Sequence, residues 1–199
     1  MNAVRVFAVV LVVTMALIAG STANINGNAF GDPKAPVVIE VFSDFQCPSC
    51  KIFHDNEFQR IMQDYVVPRK VYFVYRYFPL LGHPYGRPCA EYAAAASRIG
   101  RYEKVSNALF AQQVAIATTG KVEEAVNSVL TPTEAKQVKA LLKSPEVQKA
   151  IEADLEEGKL VPVAGTPTLW VTARGKSQAI SWPINYTLFK SYVDTLLSK

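Results

Sequence analysis

Cys47 and Cys50 are separated only by Pro48 and Ser49, directly after an apolar run over residues 37–42. Two thiols at that spacing, at the start of a helix, can close a small disulfide ring. The first thiol faces the positive end of the helix dipole, which favours thiolate over thiol. The thiolate is the attacking species in thiol–disulfide exchange, so the pair reads as a redox centre. Other uses of the spacing fit less well. A zinc site needs a second Cys or His pair, whereas His54, His83 and Cys89 stand alone. Haem attachment needs a histidine after the second cysteine, where this chain has Lys51. A structural bridge this short constrains little of the unfolded chain. Cys47, at the exposed N-terminal edge, is the expected nucleophile. Cys50, one turn into the helix, is expected to be shielded and to resolve the mixed disulfide.

Two further features stand near this pair. Glu40 interrupts the apolar strand, a costly place for a carboxylate. It could be a strand glutamate reaching solvent, or half of a buried ion pair. Because the strand runs straight into the dithiol, the expectation is a buried acid that relays a proton to or from Cys50. Far downstream comes Gly165-Thr166-Pro167-Thr168. A proline at a strand start, after Gly and Thr, suits a cis peptide bond. Such a bond is expected to hold the Thr166 backbone beside Cys47, where a substrate strand can pair with it, and to keep metal-binding side chains out of the site.

The elements that must position these residues follow from periodicity. Residues 37–43 read as a buried strand. Pro48 suits a first helical turn, and Phe53, Phe58, Ile61, Met62 and Tyr65 recur at helical spacing, so a helix is expected to about Tyr65. Residues 70–78 form a second strand, and the βαβ order favours a parallel pair. Residues 84–160 are rich in Ala, Glu, Lys and Gln, with helical spacing and about four or five helices expected. Thr131-Pro132-Thr133-Glu134 is a capping box, and Ser144-Pro145-Glu146 repeats the helix-start logic. Residues 168–173 and 178–182 read as a hairpin around Arg174-Gly175-Lys176. Residues 186–197 close the chain as an amphipathic helix. Cys89, Ala93, Ala96 and Gly100 fall on one small helical face, which makes Cys89 a buried apolar packing residue. His54 and His83 are expected at the surface or at helix edges.

Composition bounds the rest. The chain has 199 residues, 50% hydrophobic and 19% charged, which is globular and large enough for a real core. A net charge of +4 from scattered Lys and Arg gives no footprint for nucleic acid. Residues 1–23 differ from the remainder. Arg5, an apolar stretch over 6–18 and the small-residue tail Ala19-Gly20-Ser21-Thr22-Ala23 form a secretory signal pattern. An uncleaved anchor is the alternative, but the apolar stretch is shorter than the roughly 20 residues that span a bilayer. Residues 24–36 are expected to be an extended lead-in, and residues 37–199 a single domain. Export suits a functional disulfide.

The order β-α-β, helical block, β-β-α, with the dithiol at the first strand-to-helix junction, resembles the thioredoxin fold, an α/β fold, here with a helical insertion over about residues 84–160. Within that superfamily the chain resembles the DsbA-like thiol–disulfide oxidoreductases. The residues that carry the resemblance begin with 31–37 (Gly-Asp-Pro-Lys-Ala-Pro-Val) and 42–50 (Phe-Ser-Asp-Phe-Gln-Cys-Pro-Ser-Cys). They continue with Phe78-Pro79-Leu80, His83-Pro84, Ala108-Leu109-Phe110 and residues 165–168. The resemblance implies a periplasmic or otherwise extracytoplasmic enzyme that donates its disulfide to reduced, folding exported proteins. It implies reoxidation by a quinone-linked membrane partner and no cofactor beyond the Cys47–Cys50 disulfide. It assigns Cys47 as the attacking cysteine, Cys50 as the resolving one, Glu40 as the buried acid and Pro167 as the cis proline. A monomer is expected. A reductase or isomerase, or a non-catalytic peptide-binding chaperone module, are the alternatives. An isomerase of this superfamily carries an added N-terminal domain, for which the segment before Val37 is too short. A chaperone module has no need of intact Cys47, Cys50 and Pro167.

One departure from the family matters. Its strongest oxidants carry His where this chain has Ser49. A hydroxyl can donate a hydrogen bond to a thiolate but brings no imidazolium charge. Pro48 and Ser49 therefore tune the pair toward a milder oxidant. Ser49→His is expected to raise the reduction potential measured against glutathione; an unchanged or lower potential would contradict this reading of the dipeptide.

Overall fold

The structure, a computed structural model, describes residues 27–198. The expected leader at 1–23 and the first residues of the lead-in lie outside the described residues. Strands β1 (Ala29–Phe30), β2 (Val37–Ser43), β3 (Val71–Tyr77), β4 (Thr168–Ala173) and β5 (Lys176–Ser181) form one sheet in the order β1-β3-β2-β4-β5. The β2–β3 pair is parallel, as a βαβ unit requires, and the other pairs are antiparallel. The short β1 was expected only as extended lead-in. It pairs with β3, and the Asn28 amide adds a 2.6 Å hydrogen bond to Tyr75 O. Arg174 and Gly175, with φ of 50° and 70°, form the two-residue hairpin turn between β4 and β5.

The register assigns the faces. Ile39 lies opposite Phe73 and Val41 opposite Tyr75, while Glu40 lies opposite Val74 and Phe42 opposite Arg76. Successive side chains alternate faces, so Val37, Ile39 and Val41 share one face with Phe73 and Tyr75. The helix after β2 covers this face. It starts as α1 (Pro48–Phe53), continues through wider π turns over His54–Phe58, the short α2 (Gln59–Ile61) and a second π stretch over Met62–Val66. Phe58 packs on Phe73 and Tyr75 at ring separations of 5.0 and 5.1 Å, and Phe30 from β1 joins at 5.4 Å. The C-terminal helix α9 (Tyr186–Leu197) lies on the same side, where Tyr65 Oη donates to Lys190 O at 3.1 Å.

Between β3 and β4 run six helices, α3 (Gly86–Ser97), α4 (Tyr102–Ala111), α5 (Gln113–Thr119), α6 (Val122–Asn127), α7 (Pro132–Leu141) and α8 (Pro145–Leu160). This exceeds the expected number because α4 and α5 are split at Gln112, where no Gly or Pro marks a break. The Thr131–Glu134 capping box forms as expected, and Ser144 caps α8. Cys89, Ala93 and Ala96 are buried on α3, but Gly100 lies past the helix end in an exposed turn.

Helix α8 meets the opposite face of the sheet, packing Gly158 against Phe42 and Phe78. A Cβ on Gly158 would lie 2.7 Å from Phe78 Cδ2 and 3.3 Å from Phe42 Cδ1, so the missing side chain sets the approach of α8. Gly158→Ala should gain the roughly 1 kcal/mol of helix propensity but lose about 1–3 kcal/mol to overpacking. A net loss of stability is expected in urea unfolding, and a more stable variant would contradict this packing.

Candidate active site

Cys47 is the residue that caps α1, with extended backbone (φ −76°, ψ 121°), and Pro48 supplies the first helical position. This follows from sequence: proline lacks the N–H that the first turn leaves unpaired. The Cys47 carbonyl accepts the N–H groups of Cys50 (3.1 Å) and Lys51 (3.2 Å). It also accepts the Gln113 side-chain amide at 2.9 Å, and the same amide donates to Phe45 O at 2.7 Å. Helix α5 thus reaches across to hold the turn that carries the nucleophile.

All three cysteines are free thiols. The Cys47 thiol donates to Thr166 O at 3.3 Å, and the Thr166–Pro167 peptide is cis. The Thr166 hydroxyl is buried without a hydrogen-bond partner, and its proximity favours the Cys47 thiolate. Cys47 is only 7% exposed, more covered than the exposed edge expected for it, with Thr166 O against its sulfur; Cys50 is fully buried, and the Asp44 N–H donates to its sulfur at 3.4 Å. The two thiols are therefore unequal. A hydrogen bond from the Cys50 thiol is the main influence pulling the Cys47 pKa down to about 5; burial opposes it, and Thr166 and the N–H groups of Cys50 and Ser49 assist. Burial pushes Cys50 well above the ordinary thiol value, and the neighbouring Cys47 thiolate pushes it further.

Glu40 does not take the place expected for it. Strand alternation directs it to the face opposite Val41, away from α1 and Cys50. There it pairs with Arg76, whose guanidinium also bonds Asp154 at 2.9 Å and Glu157 at 3.2 Å. Asp154 is buried, and desolvation pushes it up to about 6 despite the pairing; its second oxygen accepts the Tyr77 N–H at 2.9 Å. Glu40 is thus one member of an ionic cluster that joins β2 and β3 to α8. The residues of β2 on the side of the helix of Cys50 are the apolar Val37, Ile39 and Val41.

His54 also departs from expectation, whereas His83 lies at the helix edge expected for it. His54 is buried, stacked between Phe58 and Phe110, with Nδ1 3.0 Å from Tyr75 Oη and Nε2 2.8 Å from Asn107 Oδ1. Desolvation holds its pKa below the ordinary value. His83 is partly exposed but contacts the fully buried Asp44 carboxylate at 2.5 Å. Asp44 and Gln113 are polar residues of the site that sequence reasoning passed over. The available signal was Asp44 itself, an acid at the end of a buried strand. Cys89 behaves as the expected packing residue, its thiol pushed up to about 12 by burial and by Asp44. Among the described residues, no cluster of three or more His, Cys, Asp or Glu side chains is arranged to hold a metal ion.

One thiol ready to attack and a second held in reserve are what dithiol exchange requires. The fold and the dithiol place the protein among thiol–disulfide oxidoreductases. The thioredoxin family model matches residues 23–195, and the chain belongs to that family. A probable disulfide bond formation protein D from Bacillus anthracis is 24% identical over 152 residues, covering 72% of this chain and 68% of the relative. Two crystal structures share the fold at 20% identity. Wolbachia pipientis alpha-DsbA1 has a TM-score of 0.70, over 86% of this chain and 90% of that one. Oxidised BdbD from Bacillus subtilis has a TM-score of 0.64, over 88% of this chain and 95% of that one.

The unequal thiols give a direct prediction. Cys47 alkylation by iodoacetamide should rise with pH through an inflection near 5 and level off above it. In Cys50→Ala the donated hydrogen bond is lost, so the inflection should move to higher pH. An inflection that stays in place would show that the Cys50 thiol does not stabilise the Cys47 thiolate.

Proposed function

We propose that the protein is an extracytoplasmic oxidase that introduces disulfides into reduced, exported polypeptides. In the oxidised enzyme a substrate thiolate attacks Cys47 Sγ. The Cys47–Cys50 bond breaks, and Cys50 leaves with the electron pair and takes up a proton. A second substrate thiolate then attacks the substrate sulfur of the mixed disulfide. Cys47 leaves as a thiolate, and the substrate gains its disulfide. The enzyme ends as the dithiol and needs an oxidant, for which a quinone-linked membrane protein is the proposed source. Thr166 O, beside the Cys47 sulfur, is the proposed main-chain docking point for substrate, with Pro167 presenting it. Residues 1–23 are proposed to direct export. Among the described residues no helix is long and apolar enough to cross a membrane.

The observation that carries this reading is the placing of Cys47 at the start of α1, with its sulfur beside Thr166 O and next to the fully buried Cys50 thiol, an arrangement that lowers the Cys47 pKa. Stabilising the Cys47 thiolate stabilises the reduced enzyme, and a stabilised reduced form is what makes an oxidant. The value of about 5 falls between the roughly 7 of thioredoxin and roughly 3.5 of DsbA. The potential from glutathione equilibration should accordingly lie above about −200 mV, and Cys47→Ala should abolish oxidative refolding of a reduced substrate. A thioredoxin-like potential near −270 mV would instead support a reductase. Refolding activity that survives in Cys47→Ala would support a chaperone module.

A further inference from the structure

We propose that Asp44 and His83 form a positioning pair for the dithiol, holding the turn before α1 so that the Asp44 N–H stays on the Cys50 sulfur. The proposal rests on the thiol-exchange reading of the site and adds residues that no part of that reading uses.

Asp44 follows β2 directly, and its carboxylate is fully buried. Oδ1 accepts the Gln46 N–H at 2.8 Å, while Oδ2 accepts the Leu80 N–H at 3.0 Å and meets His83 Nδ1 at 2.5 Å. The start of α3 closes over the same group. A Cβ on Gly86 would lie 2.7 Å from Asp44 Oδ1, so the absent side chain lets the first turn of α3 approach. The positive end of a helix dipole then faces the carboxylate. The loop carrying His83 is itself tied down: the His83 N–H donates to Leu80 O at 2.9 Å, and His83 O accepts the Gly86 N–H at 3.0 Å.

The backbone of the same residue touches both thiol-bearing residues. Asp44 O accepts the Cys47 N–H at 3.1 Å, and Asp44 N–H donates to Cys50 Sγ at 3.4 Å. An N–H donated to sulfur favours thiolate over thiol. At Cys50, where burial works the other way, that donor makes the sulfur a better leaving group and a better attacker. The carboxylate does not touch either sulfur in these hydrogen bonds. It fixes the turn, and the turn delivers the donor. Of the three groups that hold the carboxylate, two are backbone N–H groups, and the partly exposed imidazole is the one a substitution can remove.

The test separates the two thiols. Cys47 is capped as a mixed disulfide with thionitrobenzoate, and its release is followed by absorbance. Cys50 attacks Cys47 Sγ, the Cys47–Cys50 bond forms, and thionitrobenzoate leaves with the electron pair, so no outside oxidant is needed. Release by wild type and none by Cys50→Ala tests the exchange reading itself. His83→Ala should slow release about tenfold, with Cys47 alkylation within about twofold of wild type; His83→Gln, which keeps a donor, should recover release to within about threefold. Wild-type release rates in His83→Ala overturn the proposal. So do alkylation and release slowing in parallel, or His83→Gln doing no better than His83→Ala. Wild-type protein offers a check without substitution. The Asp44 amide nitrogen resonance should shift between dithiol and disulfide forms, and an unmoved resonance also overturns the pairing.

Discussion

The inequality of two thiols three positions apart is the constraint on which the site depends. Cys50 lies one turn inside a helix laid against the sheet, where its sulfur is sealed from water. Cys47 sits at the helix start, with its sulfur 3.3 Å from the Thr166 carbonyl. Because the buried thiol keeps its proton, it has one to donate to its partner, and that donated hydrogen bond is the largest influence lowering the Cys47 pKa. The pair therefore polarises itself. Burial raises the Cys50 thiol, and the hydrogen bond that this thiol donates depresses Cys47, so both shifts require the helix to start at Pro48 and its inner face to be apolar.

Which parts of this were legible in the sequence follows a physical rule. Cys47, Pro48, Ser49 and Cys50 carry their chemistry and their helix start in adjacent positions, and Thr166-Pro167 announces its backbone geometry in two residues. Glu40 was misread because strand burial has period two. Being inside an apolar strand shows that a side chain is covered, while its parity decides by what. Glu40 and Phe42 share the face that α8 covers, and Ile39 and Val41 face α1. A one-residue difference in register moves an acid from the dithiol to the far side of the sheet. Strand β1 is two residues long and exists through pairing with β3, so no periodicity marks it. Asp44–His83 and Gln113–Cys47 join segments far apart in the chain, and no local pattern encodes them.

The Arg76 cluster shows what Glu40 does instead. Arg76 is held in its charged form by Glu40 and Asp154, while Asp154 is pushed toward neutrality by its own burial. These tendencies pull in opposite directions on a single pair. The guanidinium gains two carboxylates, whereas Asp154 gives up more water than the pairing returns. A buried ionic cluster of this sort contributes little net stability, and its better-attested role is to specify which surfaces meet. Here it specifies where α8 crosses the ends of β2 and β3, the same place where Gly158 allows close approach to Phe42 and Phe78.

Beyond the Arg76 cluster, the helical block is tied by polar contacts to β3 and to the active-site turn. Asp154 accepts the Tyr77 N–H at the end of β3, and the Gln113 amide donates to Phe45 O and Cys47 O in the turn before α1. A buried carbonyl left without its donor costs about 1–3 kcal/mol. Removing Gln113 exposes Phe45 O to that cost, while Cys47 O keeps the N–H groups of Cys50 and Lys51. Asp44 grips the same turn from the opposite side, through Leu80 and His83 at the entrance to α3. The turn that presents Cys47 is thus clamped by two separate stretches of the block between β3 and β4. The segment inserted between the two halves of the sheet helps to build the dithiol site, because it alone supplies the donors on Phe45 O and Asp44 Oδ2.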